Sequence, residues 1–255
     1  MDKKHNGIHV DDSNDQAGVL GYPDDQLVAR IFTARENIGK RDARWASGSE
    51  ARQPVEPFRF LANDDDTTGS TPKIDVSDAR GVIWGMKFGE EVHADVAAPH
   101  LAWLLGYATE ESYFVATGHV VDQQGSSTTG FWSKLTRAKT QISVADGSFS
   151  NVRFKRKPRK DYADNHLPLP TAQPGDLISK HFAWGFGDAD SVRNPFYGTR
   201  EESGLALINL LLDNWDFGSR NNRIFIRSAG VGQRPEAWFG VSDYGASFAA
   251  EMPVT

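Results

Sequence analysis

Alternating apolar and polar residues in the first half of the chain predict a small antiparallel sheet. Strand character begins at residues 58–61, resumes at 73–76 and returns at 82–88. Turn-forming residues separate the three segments, most clearly the polar stretch 63–72. Three short strands in sequence with turns between them predict an antiparallel meander.

A helix and a fourth strand are predicted directly after this meander. Between residues 90 and 105 the apolar positions recur mainly at helical spacing, and Gly106 is a suitable C-cap. Pro99 removes one backbone hydrogen bond, which predicts a kink or two short helices. Residues 113–121 then have strand character, so the order of elements indicates an α+β fold.

The second half of the chain contains its clearest helical pattern, at residues 200–215. Thr199 is the predicted N-cap, and Glu202 three residues later completes a capping box. Apolar residues on several faces predict a helix that is buried nearly all round, as at the centre of a helical lobe. They are Leu205, Leu207, Ile208, Leu210, Leu211, Leu212 and Trp215. A polar loop, a strand at 223–227 and a second apolar segment at 237–245 follow.

Composition narrows the class of protein. The 255 residues, 39% of them apolar, are enough for one two-lobed domain or two small ones and argue against a disordered chain. The absence of cysteine excludes disulfides, thiolate metal sites and cysteine nucleophiles. A net charge of −6 argues against a nucleic-acid coat. The longest aliphatic run, at 205–212, is too short to span a bilayer, so no membrane span is expected.

Changes in composition suggest three regions. We expect a loosely ordered leader at 1–55, an N-terminal lobe at 56–155, and a linker with a second lobe at 156–255. The basic run 153–160 is interpreted as a solvated connector, with a phosphate or nucleic-acid patch as the alternative. No signal peptide is recognisable, so a cytoplasmic location is the default expectation, and an extracytoplasmic one follows if a signal peptide has been removed.

Three polar residue types in a fixed order carry the candidate chemistry. Phosphoryl transfer from a nucleotide needs an acidic group near the acceptor hydroxyl, an oxygen ligand for Mg²⁺ and a second carboxylate for the metal. Asp216, Asn221 and Asp243 supply these types in that order. A lysine must also neutralise the phosphates, and Lys87 stands near the end of the third predicted strand. Taken singly, Asp216 and Asn221 suit a helix end, and Asp243 suits a plain turn.

With these motifs the sequence resembles the protein-kinase-like superfamily, and most closely uncharacterised bacterial proteins similar to HipA-type and secretory-pathway atypical kinases. The resemblance runs from about residue 58 to 248. The resembling stretches are Gly69-Ser70-Thr71-Pro72-Lys73, Trp84-Gly85-Met86-Lys87-Phe88-Gly89, Asn194-Pro195-Phe196-Tyr197-Gly198-Thr199-Arg200-Glu201, Asn214-Trp215-Asp216 with Asn221-Asn222, and Asp243-Tyr244-Gly245.

The resemblance implies a two-lobed fold, with a small antiparallel-sheet N-lobe and a mainly helical C-lobe. It also implies a role for individual residues. Lys87 would contact the phosphates of ATP, Asp216 would orient or deprotonate the acceptor, and Asn221 with Asp243 would hold Mg²⁺. The loop of Gly69, Ser70 and Thr71 would cover the phosphates. Asp95, or Glu91 in its place, would pair with Lys87.

An ATP- and Mg²⁺-dependent phosphotransferase is the function that follows from the resemblance, with an unidentified hydroxyl of a protein or small molecule as acceptor. The alternative is a catalytically impaired pseudokinase that binds nucleotide or acts as a scaffold. Asp243 stands only 12 residues before the end, which predicts a C-lobe cut short. Either the chain is a fragment, or the leader or a partner covers the apolar surface of this lobe. Leu207, Leu210 and Leu211 would be less buried than their pattern demands if nothing fills that space.

Overall fold

The computed structural model describes residues 28–34, 38–63, 71–125, 135, 137–158, 175–182, 184–186, 194, 196–218, 221–230 and 232–248. Within these ranges the chain forms nine strands and two α-helices. In chain order they are β1 (Val28–Arg30), β2 (Phe58–Asn63), β3 (Lys73–Ser77), β4 (Ile83–Lys87), α1 (Ala94–Leu104), β5 (Ser112–Val121), β6 (Ser148–Arg156), β7 (Leu177–Phe182), α2 (Arg200–Leu211), β8 (Asn222–Arg227) and β9 (Glu236–Val241).

Five strands close into a barrel in the order β2-β3-β4-β6-β5. Neighbours are antiparallel except where β2 meets β5, which pair in parallel through Phe58 and Val120. Successive side chains of a strand point to opposite faces. The apolar face of each strand therefore fills the interior, where Phe58 and Phe154 lie 4.7 Å apart between ring centroids. Trp84 and Met86 of β4 are fully buried in the same cluster.

The other four strands form a second sheet in the order β1-β9-β8-β7. β1 runs parallel to β9, and the remaining pairs are antiparallel. Ile224 of β8 and Phe239 of β9 belong to a second core that also contains Ala98 of α1 and Leu205 of α2. α1 therefore contributes apolar residues to the second core. Polar residues of the same helix contact the barrel.

α1 is one continuous helix in spite of its proline. A 3₁₀ turn at Glu90–Val92 precedes it, and Pro99 lies inside the 11-residue helix. The helix ends where Leu105 donates to the carbonyl of Leu101, and Gly106 follows with a φ of 106°. Such a positive φ is the left-handed conformation that glycine adopts without strain. Leu105 is the C-cap, and Gly106, the residue predicted to end the helix, directly follows it.

α2 begins as its sequence predicts and buries only one face. The Thr199 hydroxyl accepts a hydrogen bond of 3.2 Å from the amide of Glu202. Leu205 is fully buried. Leu207, Leu210 and Leu211 are instead exposed by 55%, 64% and 75%. The prediction of burial nearly all round was wrong for these three leucines, which form an apolar outer face among the described residues. Their exposure is the outcome expected if nothing fills the space beside this helix.

The predicted mainly helical C-lobe is also wrong. A closed five-stranded barrel stands beside a second sheet, and the described residues contain only two short α-helices. The reason lies in strands that the sequence analysis missed. Leu177–Phe182 forms β7, and Val28–Arg30 pairs with β9 from within the segment expected as a leader. The mainly helical lobe was an implication of the family resemblance, whereas the residues themselves predict one helix in this half of the chain, followed by strands.

No helix in the described part of the chain is both long and apolar enough to cross a membrane.

Candidate functional site

Lys87 is the last residue of β4 and lies on the outer face of the barrel. Met86, its neighbour, points into the interior, so Lys87 must point outward. α1 and the preceding 3₁₀ turn cover it there, and it is 2% exposed. Its Nζ atom lies 2.7 Å from Asp95 Oδ2 and 2.5 Å from Glu91 Oε2. The strand, the 3₁₀ turn and α1 thus meet at one ammonium group.

Asp95 connects three parts of the molecule through its two carboxylate oxygens. Oδ2 accepts from Lys87 on β4 and from Arg153 Nη2 on β6, the latter at 3.2 Å. Lys87 and Arg153 are directly opposite each other in the ladder of β4 and β6, which places both on the same face. Oδ1 accepts from the backbone amide of Tyr244 at 3.3 Å. A single buried carboxylate therefore ties the barrel and α1 to the segment after β9.

Asp243 begins that segment and is the exposed member of the cluster. Its Oδ1 atom lies 4.0 Å from Lys87 Nζ and accepts a hydrogen bond of 3.1 Å from the amide of Gly245. The Asp243 side chain is 39% exposed, whereas those of Lys87 and Asp95 are 3% exposed. The Glu91 side chain is 29% exposed, so a ligand approaching from solvent would meet Asp243 and Glu91, with the lysine behind them.

The charges of the cluster support one another. Burial by itself would lower the pKa of Lys87, but the carboxylates of Asp95 and Asp243 offset this and raise it above its ordinary value. Burial by itself would raise the pKa of Asp243, but the ammonium groups of Lys87 and Lys155 hold it well below its usual range. At neutral pH the site therefore holds an ionised carboxylate beside a protonated lysine.

The loop after α2 lies against Asp243 through hydrogen bonds to the backbone of Asp243 and of the residue before it. Asn214 Nδ2 donates to the carbonyl of Asp243 at 3.1 Å. The amide of Ser242 donates to the carbonyl of Asn221 at 2.9 Å. Asn221 Nδ2 donates to the carbonyl of Asp216 at 2.8 Å, which closes the loop on itself. The structure thus brings the loop of Asp216 and Asn221 alongside the strand end that carries Asp243.

The predicted phosphate-covering loop is only partly described. Gly69 and Ser70 lie outside the described residues. Thr71 is half-buried just before β3, and its methyl group lies 3.7 Å from the position that a Cβ on Gly89 would occupy. Because Lys73 is the ladder partner of Lys87, the residues leading into β3 approach the strand end that carries the lysine.

Two cations of the site were missed in the sequence because they belong to the basic run interpreted as a connector. Arg153 and Lys155 lie on β6, and Arg153 is 4% exposed. Lys155 contacts Glu110 and donates to the carbonyl of Ser242 at 2.9 Å. Burial lowers the pKa of Lys155 to about 8. The alternation of Val152 and Phe154 with these cations was the available signal, since it has the period of a strand.

The oxygen donors near Lys87 suit a metal ion that is shared with a ligand better than one enclosed by protein side chains. Among the described residues no group of three or more metal-ligating side chains converges. Mg²⁺ commonly takes one or two protein carboxylates and completes its shell with phosphate oxygens and water. Asp243 and the amide oxygen of Asn221 are donors of the right type for that arrangement. They fit a metal that arrives with a phosphate ligand.

No protein-family model, no curated protein and no solved structure matches this chain. Its site is therefore interpreted from its own residues.

Proposed function

We propose that the protein binds ATP with Mg²⁺ at Lys87 and Asp243 and transfers its terminal phosphoryl group to a hydroxyl acceptor. The observation that supports this most strongly is the position of Lys87 Nζ, 2.7 Å from Asp95 Oδ2 and 4.0 Å from Asp243 Oδ1. A buried acid orients the lysine, and a partly exposed carboxylate stands in front of it. The proposal depends on this constellation and not on the overall fold class.

Positioning and charge neutralisation supply most of the catalysis in phosphoryl transfer. Lys87 is a point charge for phosphate oxygens, and its salt bridge with Asp95 holds it in place before the ligand arrives. Asp243 and Asn221 would hold Mg²⁺, which neutralises the charge that develops on the phosphates. Glu91 contacts Lys87, and phosphate oxygens would take over part of that contact.

Asp216 is the side chain proposed to act on the acceptor hydroxyl. It is half-buried, and the hydrogen bond from Asn221 to its carbonyl fixes the backbone of its loop next to Asp243. A carboxylate at this position would accept the proton of the attacking hydroxyl, which is the role of a general base. The hydroxyl of a protein or a small molecule fits this role equally.

A nucleotide-binding module without transfer is the second candidate, and the burial of Lys87 favours it. Lys87 already contacts two carboxylates, Asp95 and Glu91, and is 2% exposed. If Glu91 does not move aside, the lysine reaches the phosphates poorly. Binding would then persist through Asp243 and the metal, with little or no turnover.

Radiolabelled ATP distinguishes the two candidates. The full chain is incubated with γ-labelled ATP and Mg²⁺, and label in the protein and in free phosphate is followed with time. Asp243→Asn and Asp216→Ala should each abolish release and incorporation of label. Asp213→Asn is the matched control, because Asp213 is an exposed residue of the same loop with a φ of 55° that asparagine also tolerates.

Each outcome has a defined meaning. Turnover in the natural protein and the control, lost in the other two variants, supports the phosphotransferase. ATP binding measured by calorimetry without turnover supports the module instead. Absence of ATP binding rejects both, as does turnover that survives Asp243→Asn in a variant with unchanged circular dichroism.

A further inference from the structure

A cavity distinct from the Lys87 site lies at the end of the second sheet that is far from Asp243. It has a volume of about 370 Å³. Its walls include Trp103, Tyr107, Thr109, Arg227, Glu236 and Trp238. Arg227 and Glu236 are ladder partners at one end of β8 and β9, whereas Asn222 and Val241 pair at the end near Asp243. Five residues of strand at about 3.4 Å each put the two ends about 17 Å apart.

Arg227 is the cation among the lining residues of this cavity, and no carboxylate of the described residues contacts it. Its Nη2 donates to the carbonyl of Thr109 at 2.7 Å. Its buried Nε has no hydrogen-bond partner among the described residues. No described carboxylate lies within 4.0 Å of the guanidinium. Desolvation accordingly lowers the pKa of Arg227.

The acids nearest to Arg227 are already bound to other groups. Glu111 lies 3.0 Å from both Arg52 and Arg156. Glu236 contacts Arg30 Nε at 2.7 Å and accepts from the indole nitrogen of Trp238 at 2.8 Å. These acids reach Arg227 only through longer-range attraction. Arg227 is half-buried, its Nη2 atom bonds a backbone carbonyl, and its buried Nε atom has no described partner. Leaving such a cation without a carboxylate is costly, so an anion supplied from outside would be stabilised there.

Glu110, the third acid, is likewise occupied by Lys155 and by Lys180, the latter at 2.9 Å. A second unpaired polar atom also marks the cavity. Thr109 is 1% exposed, and its hydroxyl oxygen has no described hydrogen-bond partner. A hydroxyl can donate to an anion as readily as a guanidinium can.

The walls and charges restrict the ligand class. The half-buried indoles of Trp103 and Trp238 each have a guanidinium over one face, Arg41 at 5.2 Å and Arg30 at 5.8 Å from the ring centroid. The opposite face or the edge of each indole is the apolar surface that suits a planar ring. Arg227 is the one cation among the described lining residues, so the cavity balances one negative charge. The volume lies within the range typical of small-molecule pockets. We propose that this cavity is a binding site for a small planar aromatic monocarboxylate, with Arg227 bound to its carboxylate and the two tryptophans in contact with its ring.

Calorimetry with 2-naphthoate and its uncharged analogue 2-naphthamide tests the proposal on the full chain. The two probes have the same ring and differ in charge, so 2-naphthoate should bind at least about tenfold more tightly, as charge-assisted hydrogen bonds require. Ala229→Phe fills the cavity from a lining residue that makes no polar contact there, and it should abolish binding.

Arg227→Gln should lower the affinity for 2-naphthoate at least about tenfold and leave the affinity for 2-naphthamide nearly unchanged. Arg223→Gln is the matched control, since Arg223 is on the same strand and outside the cavity. If Arg227→Gln fails to fold, the comparison of the two probes on the natural chain and on Ala229→Phe decides alone. Equal affinity for both probes, binding retained in Ala229→Phe, or no binding at about 10 mM probe would overturn the proposal.

Discussion

Lys87 Nζ and Asp95 Oδ2 form a salt bridge of 2.7 Å in which both side chains are 3% exposed. Exposed ion pairs contribute little to stability, but removing one partner of a buried pair leaves an uncompensated charge. Asp95 also accepts from Arg153 and from the amide of Tyr244. The same carboxylate therefore orients the proposed catalytic lysine and links the barrel to the segment that carries Asp243.

Breaking the Lys87–Asp95 pair should destabilise the protein non-additively. We expect Lys87→Met and Asp95→Asn each to lower the free energy of unfolding by up to about 3 kcal/mol, because each removes one partner of a buried charge that keeps its other partners, Arg153 for Asp95 and Glu91 for Lys87. The double variant should cost at least about 1 kcal/mol less than the sum, since residues in contact couple. Urea unfolding of the four proteins measures the cycle.

Lys73→Met is the control for this cycle. Lys73 is the ladder partner of Lys87 but is only half-buried, so its replacement should change stability by no more than about 0.5 kcal/mol. Strict additivity in the cycle would mean that the buried pair is not energetically coupled, and the orienting role of Asp95 would have to be abandoned.

Gly245 packs directly against the ion pair, and even a methyl group should disturb it. A Cβ at this residue would lie 2.5 Å from Glu91 Oε2 and 2.8 Å from Lys87 Nζ. Gly245→Ala should therefore reduce ATP binding at least about tenfold by displacing the two side chains. At Gly39 a Cβ would meet no atom within 4 Å, so Gly39→Ala should bind ATP normally. Equal affinities in the two variants would show that ATP does not need this arrangement.

Local patterns predicted more of the barrel and of the site than of the second sheet. β2, β3 and β4 alternate clearly between apolar and polar residues, so both the meander and Lys87 at its end could be predicted. β1 has only three residues and pairs with a strand some 200 residues away in sequence. No local pattern encodes such a pairing. The contacts of Asp95 with Arg153 and Tyr244 are likewise products of tertiary packing.

Residue type alone led to the wrong interpretation of the basic run 153–160 as a solvated connector. Six of the eight residues at 153–160 are basic, which is typical of a solvated connector. Arg153 is nevertheless buried, because Asp95 compensates its charge. The compensating acid lies on α1, far away in sequence, so the burial of Arg153 was not readable from the run itself.

Glu110 should make stability depend on pH in the acidic range. Burial would raise its pKa, but Lys155 and Lys180 override this and lower the pKa from 4.5 to about 2. A folded-state pKa below the unfolded one stabilises the protein above pH 4.5, and this contribution is lost as pH falls towards 2. One such group gives a slope of at most about 1.4 kcal/mol per pH unit.

Glu110→Gln should therefore flatten the decline of stability with acid, measured as urea midpoints at several pH values between these limits. Other carboxylates keep part of the slope, since the pKa of Asp243 is also lowered. Glu90→Gln is the control, because Glu90 is exposed and should leave the slope unchanged. A slope that is the same in Glu110→Gln and the natural protein would show that Glu110 is not held ionised by its two lysines.

The two faces of α2 should respond oppositely to substitution. Leu205 is fully buried in the core beneath the second sheet, and Leu205→Ala should lower the free energy of unfolding by about 2 to 5 kcal/mol through lost contacts and the cavity it leaves. Leu211 is 75% exposed, so Leu211→Ala should change it by no more than about 0.5 kcal/mol. Both substitutions replace leucine by alanine in the same helix, so the change in helix propensity is the same. The difference between their effects on the free energy of unfolding therefore measures burial alone. A cost at Leu211 comparable to that at Leu205 would show that the outer leucine face is covered in solution.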